Sequence, residues 1–140
     1  MKNLSILGST GSIGKQALDV VEKLGNINIA GLSTNKNIGL LENQIRKFKP
    51  EIAAVADEAA AKAIKVSVAD TDTKIVGGAE GLCEVASAGK AGSVLTSIVG
   101  IAGLIPTLTA IKNKKNILLA NKETLVAAGG IIIKAAKEYN

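Results

Sequence analysis

"LSILGSTGSIG" at residues 4–14 joins an apolar run to three glycines at three-residue spacing, Gly8, Gly11 and Gly14. The run Leu4–Leu7 predicts a short buried strand, and the residues after the glycines predict a helix. A strand, a glycine-rich loop and a helix form the first unit of a dinucleotide-binding fold. In such a unit, glycine permits a tight turn, lets the backbone approach a pyrophosphate, and allows close packing of the helix on the strand.

The spacing is G-x-x-G-x-x-G rather than the more familiar G-x-G-x-x-G. By itself it is also compatible with a flexible strand-to-helix turn that binds nothing. The loop follows the first strand, however, at the carboxyl edge of the expected sheet, where ligands bind. The start of the next helix offers free N–H groups and partial positive charge. We therefore favour phosphate binding, with additional hydroxyl donors from Ser9, Thr10 and Ser12.

The rest of the chain repeats the alternation of apolar runs and helical stretches. Strands are predicted at residues 4–7, 27–32, 52–55, 74–76, 93–98 and 116–119, and helices at 13–24, 38–48, 57–66, 80–87, 104–112 and 124–137. This alternation predicts an α/β fold, a Rossmann-like, doubly wound, mostly parallel sheet with helices on both faces.

Individual residues add detail to these predicted helices and turns. The apolar face of the first helix is predicted to consist of Ile13, Ala17, Val20, Val21 and Leu24. Candidate helix caps are Ser12 for the first helix and Asp57 for the third. The glycine-rich segment 100–103 is interpreted as a strand-to-helix turn, with Pro106 in the first turn of the helix that follows.

The end of the second strand bears on the choice of cofactor. An NAD-selective site usually carries an acidic residue about twenty positions after the glycine loop, which binds the ribose 2′-hydroxyl. Residues 33–37 here read Ser-Thr-Asn-Lys-Asn and contain no acid. Hydroxyls, amides and a lysine suit a 2′-phosphate, which favours NADP over NAD. The alternative is that Asn35 and Asn37 only form a polar turn and Lys36 is solvated.

Composition limits the remaining possibilities. A chain of 140 residues, 47% of them hydrophobic, is expected to form one domain, residues 1–140. One cysteine and no histidine exclude an internal disulfide and a histidine-bound metal. The net charge of +5 comes from lysines and one arginine. The lysines are scattered, apart from Lys112, Lys114 and Lys115, and have no interleaved aromatic residues, so no nucleic-acid partner is expected.

No targeting or membrane segment is expected. Residues 1–3 lead directly into the first strand, which predicts no signal peptide, and the apolar stretch 98–105 is short and interrupted by glycine. These features predict a cytoplasmic protein.

Three segments together resemble a known family. They are "ILGSTGSIG" at residues 6–14, "IVGIAGLIPTLTAI" at 98–111 and "ILLANKETLV" at 117–126. In this order they resemble the N-terminal domain of the 1-deoxy-D-xylulose 5-phosphate reductoisomerase family. The resemblance covers nearly the whole chain, and the "LANKE" segment is much more specific than the glycine loop. It implies an NADPH-dependent oxidoreductase of non-mevalonate isoprenoid biosynthesis, which makes 2-C-methyl-D-erythritol 4-phosphate.

The resemblance also implies roles for individual residues. It implies cofactor contacts at Thr10, Gly11, Ser12 and Ile13, at Asn35, Lys36 and Asn37 around the adenosine phosphate, and at Asn121 and Glu123 nearer the nicotinamide, with Lys122 reaching the substrate. In isolation, Lys122 and Glu123 would read as an exposed ion pair at a helix start.

Members of this family are much longer than 140 residues, and their acidic metal ligands follow beyond the position equivalent to Asn140. The resemblance therefore implies a fragment with no catalytic residue and no metal ligand of its own, and without turnover. The whole enzyme is implied to be a homodimer that takes Mg²⁺ or Mn²⁺ and a sugar phosphate substrate.

Other functions remain open at this point. The chain could be the first domain of another NADP-dependent enzyme, such as a homoserine or semialdehyde dehydrogenase, although that would not explain "LANKE". It could also be a non-catalytic nucleotide-sensing domain. A role in nucleic-acid binding rests on net charge alone.

Overall fold

A computed structural model describes residues 2–98, 100–119, 134, 137 and 138. Strands and helices alternate along the described chain, as the sequence predicts. The strands are β1 (Lys2–Leu7), β2 (Ile27–Thr34), β3 (Ile52–Val55), β4 (Lys74–Gly77), β5 (Ser93–Thr96) and β6 (Asn116–Leu119). The helices are α1 (Ser12–Leu24), α2 (Ile38–Phe48), α3 (Glu58–Ser67), α4 (Gly78–Ala86) and α5 (Leu104–Lys112), with a short 3₁₀ helix at Gly100–Gly103.

The six strands form one sheet in the order β4-β3-β2-β1-β5-β6. Every pairing between neighbours is parallel. From β1 the chain moves outward through β2 and β3 to β4, then returns to place β5 on the other side of β1. The carboxyl ends of β1 and β5 therefore flank a topological switch point, where open α/β sheets bind their ligands.

Aliphatic cores cover both faces of the sheet. One core joins β1, β2 and β3 to α1, α2 and α3, and includes Ile6, Leu32, Leu41, Ile45 and Ile64, each at most 1% exposed. The other packs α4 and α5 against the opposite face. The Rossmann-like fold with helices on both faces is thus confirmed. None of the described helices has both the length and the apolar composition needed to cross a bilayer.

The predicted apolar face of α1 is correct only in part: Val21 is buried and Ala17 packs against the core, but Ile13, Val20 and Leu24 are exposed. The helix buries Gly14, Leu18 and Val21, whereas Val20 is 54% exposed and Leu24 is 59% exposed. The physical reason is the close contact that Gly14 makes with the glycine loop, because this contact turns the Gly14–Leu18–Val21 row toward the sheet. Glycine contributes nothing to a hydrophobic pattern. The helical periodicity of the bulkier apolar residues therefore predicted a neighbouring row as the buried face.

Two further local predictions need correction, and one is confirmed. The N-cap of α1 is Gly11 rather than Ser12, and no side chain caps this helix. The segment Gly100–Gly103 is a 3₁₀ helix rather than a simple turn. Asp57 caps α3 as predicted, since its carboxylate accepts a hydrogen bond of 3.0 Å from Ala60 N. The predicted helix 124–137 lies outside the described residues except for Lys134 and Lys137, which are helical.

One polar group in the sheet is buried without a partner. Ser5 on β1 is fully buried, and its Oγ has no hydrogen-bond partner among the described residues. We expect Ser5→Ala to leave stability unchanged or to raise the free energy of unfolding by up to about 1 kcal/mol, because the substitution removes an unpaired buried hydroxyl. Urea unfolding of both proteins measures the difference. A loss of more than about 1 kcal/mol would mean that this hydroxyl has a partner in solution.

Candidate functional site

A cleft of about 370 Å³ opens where β1, β2 and β5 end. The glycine loop forms one wall, the end of β2 forms a second, and the segment after β5 forms a third. The lining residues are Gly8, Thr10, Gly11, Ser33, Thr34, Asn35, Ala56, Leu82, Ser97, Ile98 and Ala102. The cleft therefore lies at the switch point and combines hydroxyl and amide groups with a small apolar surface.

Gly8 makes the turn out of β1. Its φ of +86° lies in the left-handed region that side chains disfavour. A Cβ here would also lie 3.0 Å from Ser97 Oγ and 3.2 Å from the Ser97 backbone. The Ser97 hydroxyl itself donates to the carbonyls of Leu7, at 2.8 Å, and Gly8, at 3.1 Å. The fold alone thus requires glycine at position 8.

Gly14 allows α1 to pack on the glycine loop. A Cβ at this position would overlap the carbonyl oxygen of Gly8 and lie 2.6 Å from Ser9 Cα. Both contacts are with backbone atoms, which cannot rotate away as a side chain can. Gly14 is therefore the helix–strand packing glycine that the sequence pattern predicts.

Gly11 is different, because the fold gives no steric reason for it. A Cβ at Gly11 would meet only Gly8 O, at an ordinary contact distance of 3.6 Å. Gly11 is exposed, lines the cleft and precedes the first turn of α1. The first N–H groups of a helix lack intrahelical partners and carry partial positive charge. A glycine at this place leaves those groups accessible to an anion.

The neighbouring predicted residues lie beside this glycine. Ser12 and Ile13, in the first turn of α1, are both exposed. Thr10 is half-buried, and its Oγ1 lies 2.6 Å from Thr34 Oγ1 at the end of β2. This hydrogen bond ties the loop to β2 and so brings residues 10–13 next to the second predicted segment.

That second segment, residues 35–37, forms the exposed connection from β2 to α2. Asn35 lines the cleft, and its carbonyl accepts a hydrogen bond of 3.0 Å from Asp57 N. Asn37 caps α2, since its Oδ1 accepts from Leu40 N at 3.3 Å. Part of the polar-turn interpretation therefore holds for Asn37, while Asn35 lines the cleft and the exposed Lys36 directly follows it in the chain.

The residues that hold the glycine loop in place were not among the predicted site residues. Ser33 Oγ accepts from Gly8 N at 2.9 Å, and Ser33 O accepts from Ser9 N at 2.8 Å. Gln44 and Ser97 also bond to the loop. Ser33 had a signal in the sequence, because it begins the polar stretch 33–37 that follows the predicted strand 27–32. Gln44, within an amphipathic helix, and Ser97, inside the predicted strand 93–98, had none.

The three residues of the "LANKE" segment with predicted roles, Asn121, Lys122 and Glu123, lie outside the described residues. Within the part of the chain that is described, no three acidic, cysteine or histidine side chains are grouped closely enough to hold a metal ion.

The sequence and the fold both match one family. The sequence pattern of 1-deoxy-D-xylulose 5-phosphate reductoisomerase matches residues 4–129. The chain is 60% identical to the reductoisomerase of Acetivibrio thermocellus over 136 residues, which is 97% of this chain and 35% of the relative. It is 52% identical to that of Agathobacter rectalis over 139 residues, 99% of this chain and 37% of the relative.

Solved structures agree with this match. The reductoisomerase from Zymomonas mobilis in complex with NADPH superimposes with a TM-score of 0.93 at 36% identity, covering 99% of this chain and 36% of that one. A DOX-P reductoisomerase in complex with NADPH, fosmidomycin and magnesium superimposes with a TM-score of 0.92 at 39% identity, covering 99% and 35%. The chain thus spans little more than a third of the length of these relatives. On the strength of this match over nearly all of its residues, the chain belongs to the 1-deoxy-D-xylulose 5-phosphate reductoisomerase family.

Proposed function

We propose that residues 1–140 form the NADPH-binding domain of a reductoisomerase that converts 1-deoxy-D-xylulose 5-phosphate to 2-C-methyl-D-erythritol 4-phosphate. Family membership supports this proposal, as does the similarity to a relative in complex with NADPH. The match includes residues 119–123 and so disfavours the interpretation as a different NADP-dependent dehydrogenase.

The described residues fit a dinucleotide in two places. Gly8 and Gly14 keep the loop compact, and Gly11 leaves the start of α1 open, so residues 10–13 offer hydroxyl and N–H donors to a pyrophosphate. Asn35 and Lys36, with Asn37 at the start of α2, offer an amide and a cation to a 2′-phosphate. When bound, NADPH supplies a hydride, and this domain binds and orients it.

The rest of the reaction is proposed for the whole protein. Asn121 and Glu123 are proposed to contact the cofactor near the nicotinamide, and Lys122 to contact the sugar phosphate. Relatives form complexes with magnesium, so we propose a divalent metal, Mg²⁺ or Mn²⁺, for the whole enzyme. We assign no ligand for it among the described residues. We also propose that the whole enzyme is a homodimer.

The observation that carries the proposal is Gly11, the cleft-lining glycine that the fold does not require. We expect Gly11→Ala to weaken NADPH binding about tenfold or more, because a methyl group would stand where the pyrophosphate approaches the backbone. The melting temperature of the Gly11→Ala variant should stay within about 2 °C of that of the original chain, since the added Cβ has room. Isothermal titration calorimetry and thermal unfolding measure the two effects.

Gly39→Ala in α2 provides the matched control. Gly39 is exposed in the first turn of the neighbouring helix, and a Cβ there would meet no heavy atom within 4 Å. This variant should bind NADPH as the original chain does. Unchanged affinity in Gly11→Ala would argue against a phosphate at this helix start.

A further inference from the structure

We propose that Gln44 is a positioning residue for the cofactor site. It holds the glycine loop in the conformation that receives the pyrophosphate, and it couples this loop to α2. The inference rests on the proposed function, because it names a further residue on which NADPH binding depends. Gln44 lies in the middle of α2 and outside the cleft lining.

Gln44 and Ser9 form a closed pair of hydrogen bonds. Gln44 Nε2 donates to Ser9 O at 2.9 Å, and Ser9 Oγ donates to Gln44 Oε1 at 2.7 Å. Gln44 is 6% exposed, and Ser9 is fully buried. Water therefore cannot easily replace either bond, and losing the amide would leave the Ser9 carbonyl buried without a donor.

The chemistry of the partners fixes the orientation of the amide. A carbonyl oxygen can only accept, so the Gln44 amide must direct Nε2 at Ser9 O. Ser33 O lies 3.2 Å from Ser9 Oγ and also accepts from Ser9 N at 2.8 Å, whereas Gln44 Oε1 lies 2.7 Å from the hydroxyl. The Ser9 hydroxyl hydrogen is thus best used by Gln44 Oε1, at the shorter distance. Both polar atoms of the glutamine are occupied by one residue of the loop.

Ser9 lies where its position sets that of the cleft wall. It stands between Gly8, whose φ is positive, and Thr10 and Gly11, which line the cleft. Because the backbone carbonyl and the side chain of Ser9 are both held, the path of the chain from Gly8 into α1 is held as well. The helix that carries Gln44 begins directly after residues 35–37, the proposed 2′-phosphate segment. Gln44 thus links the two halves of the proposed site through one rigid helix.

The neighbours of Gln44 show that packing alone does not require an amide. Leu41 and Ile45 on the same helix are at most 1% exposed and fill the core with apolar side chains. An apolar residue of similar length, such as methionine, would fill the position of Gln44 while losing both bonds to Ser9. Gln44→Met thus separates the hydrogen bonds from the volume.

The test compares this chain with Gln44→Met, Gln44→Glu and the control Ile45→Val. Calorimetric titration with NADP⁺ is carried out at the same number of degrees below the melting temperature of each protein. We expect Gln44→Met to bind about tenfold more weakly, the loss expected for a buried hydrogen bond that positions a ligand. Ile45→Val shortens a core side chain one residue away without touching Ser9, and its affinity should not change.

Gln44→Glu adds a pH profile. At pH 8 the introduced carboxylate would face Ser9 O and repel it, so binding should be weak. At pH 5.5 a protonated carboxyl can donate to Ser9 O, so the affinity relative to the original chain should recover. The charged groups beside this position are Lys15 and Asp19 of α1 and Lys47 of α2. These groups and the 2′-phosphate of the ligand are common to both proteins, so the comparison with the original chain isolates the introduced carboxyl.

The affinities of these variants separate a positioning role of Gln44 from a general effect on stability. Equal affinity of Gln44→Met and the original chain would overturn the positioning role while leaving the proposed function intact. An equal loss in Ile45→Val would also overturn it, since the effect would then follow from core stability. If the original chain bound no NADP⁺, the proposed function and this inference would both fail.

Discussion

Gly14→Ala is expected to lower the free energy of unfolding by about 3 kcal/mol or more, or to prevent folding. The added Cβ would overlap Gly8 O and lie 2.6 Å from Ser9 Cα and 2.8 Å from Ser9 C. Relief of these contacts requires α1 to move away from the end of β1. That movement would also separate Leu18 and Val21 of α1 from the core beneath them.

Two glycine-to-alanine controls make this prediction specific. Gly39→Ala should raise the free energy of unfolding by about 0.5–1 kcal/mol, because alanine favours a helix and has open space there. Gly11→Ala should change it little. Urea unfolding followed by circular dichroism ranks all three variants. A Gly14→Ala variant as stable as Gly39→Ala would mean that α1 does not pack on the glycine loop as described.

Lys36→Glu is expected to weaken NADPH binding roughly 100-fold while changing NADH binding little. The substitution replaces a cation next to the cleft with a carboxylate, so an attraction to the 2′-phosphate becomes a repulsion. NADH has a hydroxyl at that position, which a carboxylate can accept from. Titration of the variant with each cofactor measures the ratio of its affinity for NADPH to its affinity for NADH, and this ratio should fall sharply.

A charge-matched control separates local contact from net charge. Lys23→Glu changes the net charge by the same amount, but Lys23 lies in the last turn of α1, at the end opposite the glycine loop. The Lys23→Glu variant should bind NADPH less than about threefold more weakly than the original chain, because salt screens an exposed charge that lies far from the bound cofactor. Equal losses in the two lysine variants would show that Lys36 acts only through overall charge.

Local patterns were enough to predict most of the fold. The bounds of β3 and β6 match the predicted apolar runs 52–55 and 116–119, because each is a short, largely apolar run that directly follows a polar turn. Strand β2 extends past the predicted end to Thr34, since Ser33 and Thr34 are polar yet buried against the glycine loop. Their polarity suggested a loop, whereas tertiary hydrogen bonds keep them in the strand.

The candidate site likewise has one part that local sequence patterns predict and another part that they do not. The glycine loop and residues 35–37 could be found from the sequence because their composition is unusual over a few neighbouring positions. Gln44 and Ser97 could not, since their contacts join residues 35 and 90 positions apart, Gln44 with Ser9 and Ser97 with Leu7. Such pairs depend on the order of the strands and on the packing of α2, which no local pattern records.

Calorimetric titration of this 140-residue chain with NADPH, and in parallel with NADH, shows directly whether residues 1–140 form a cofactor-binding domain. We expect one site, with NADPH bound at least about tenfold more tightly than NADH. A preference for NADH would contradict the assignment of residues 35–37 to a 2′-phosphate. Absence of binding to either cofactor would contradict the assignment of residues 1–140 as a cofactor-binding domain.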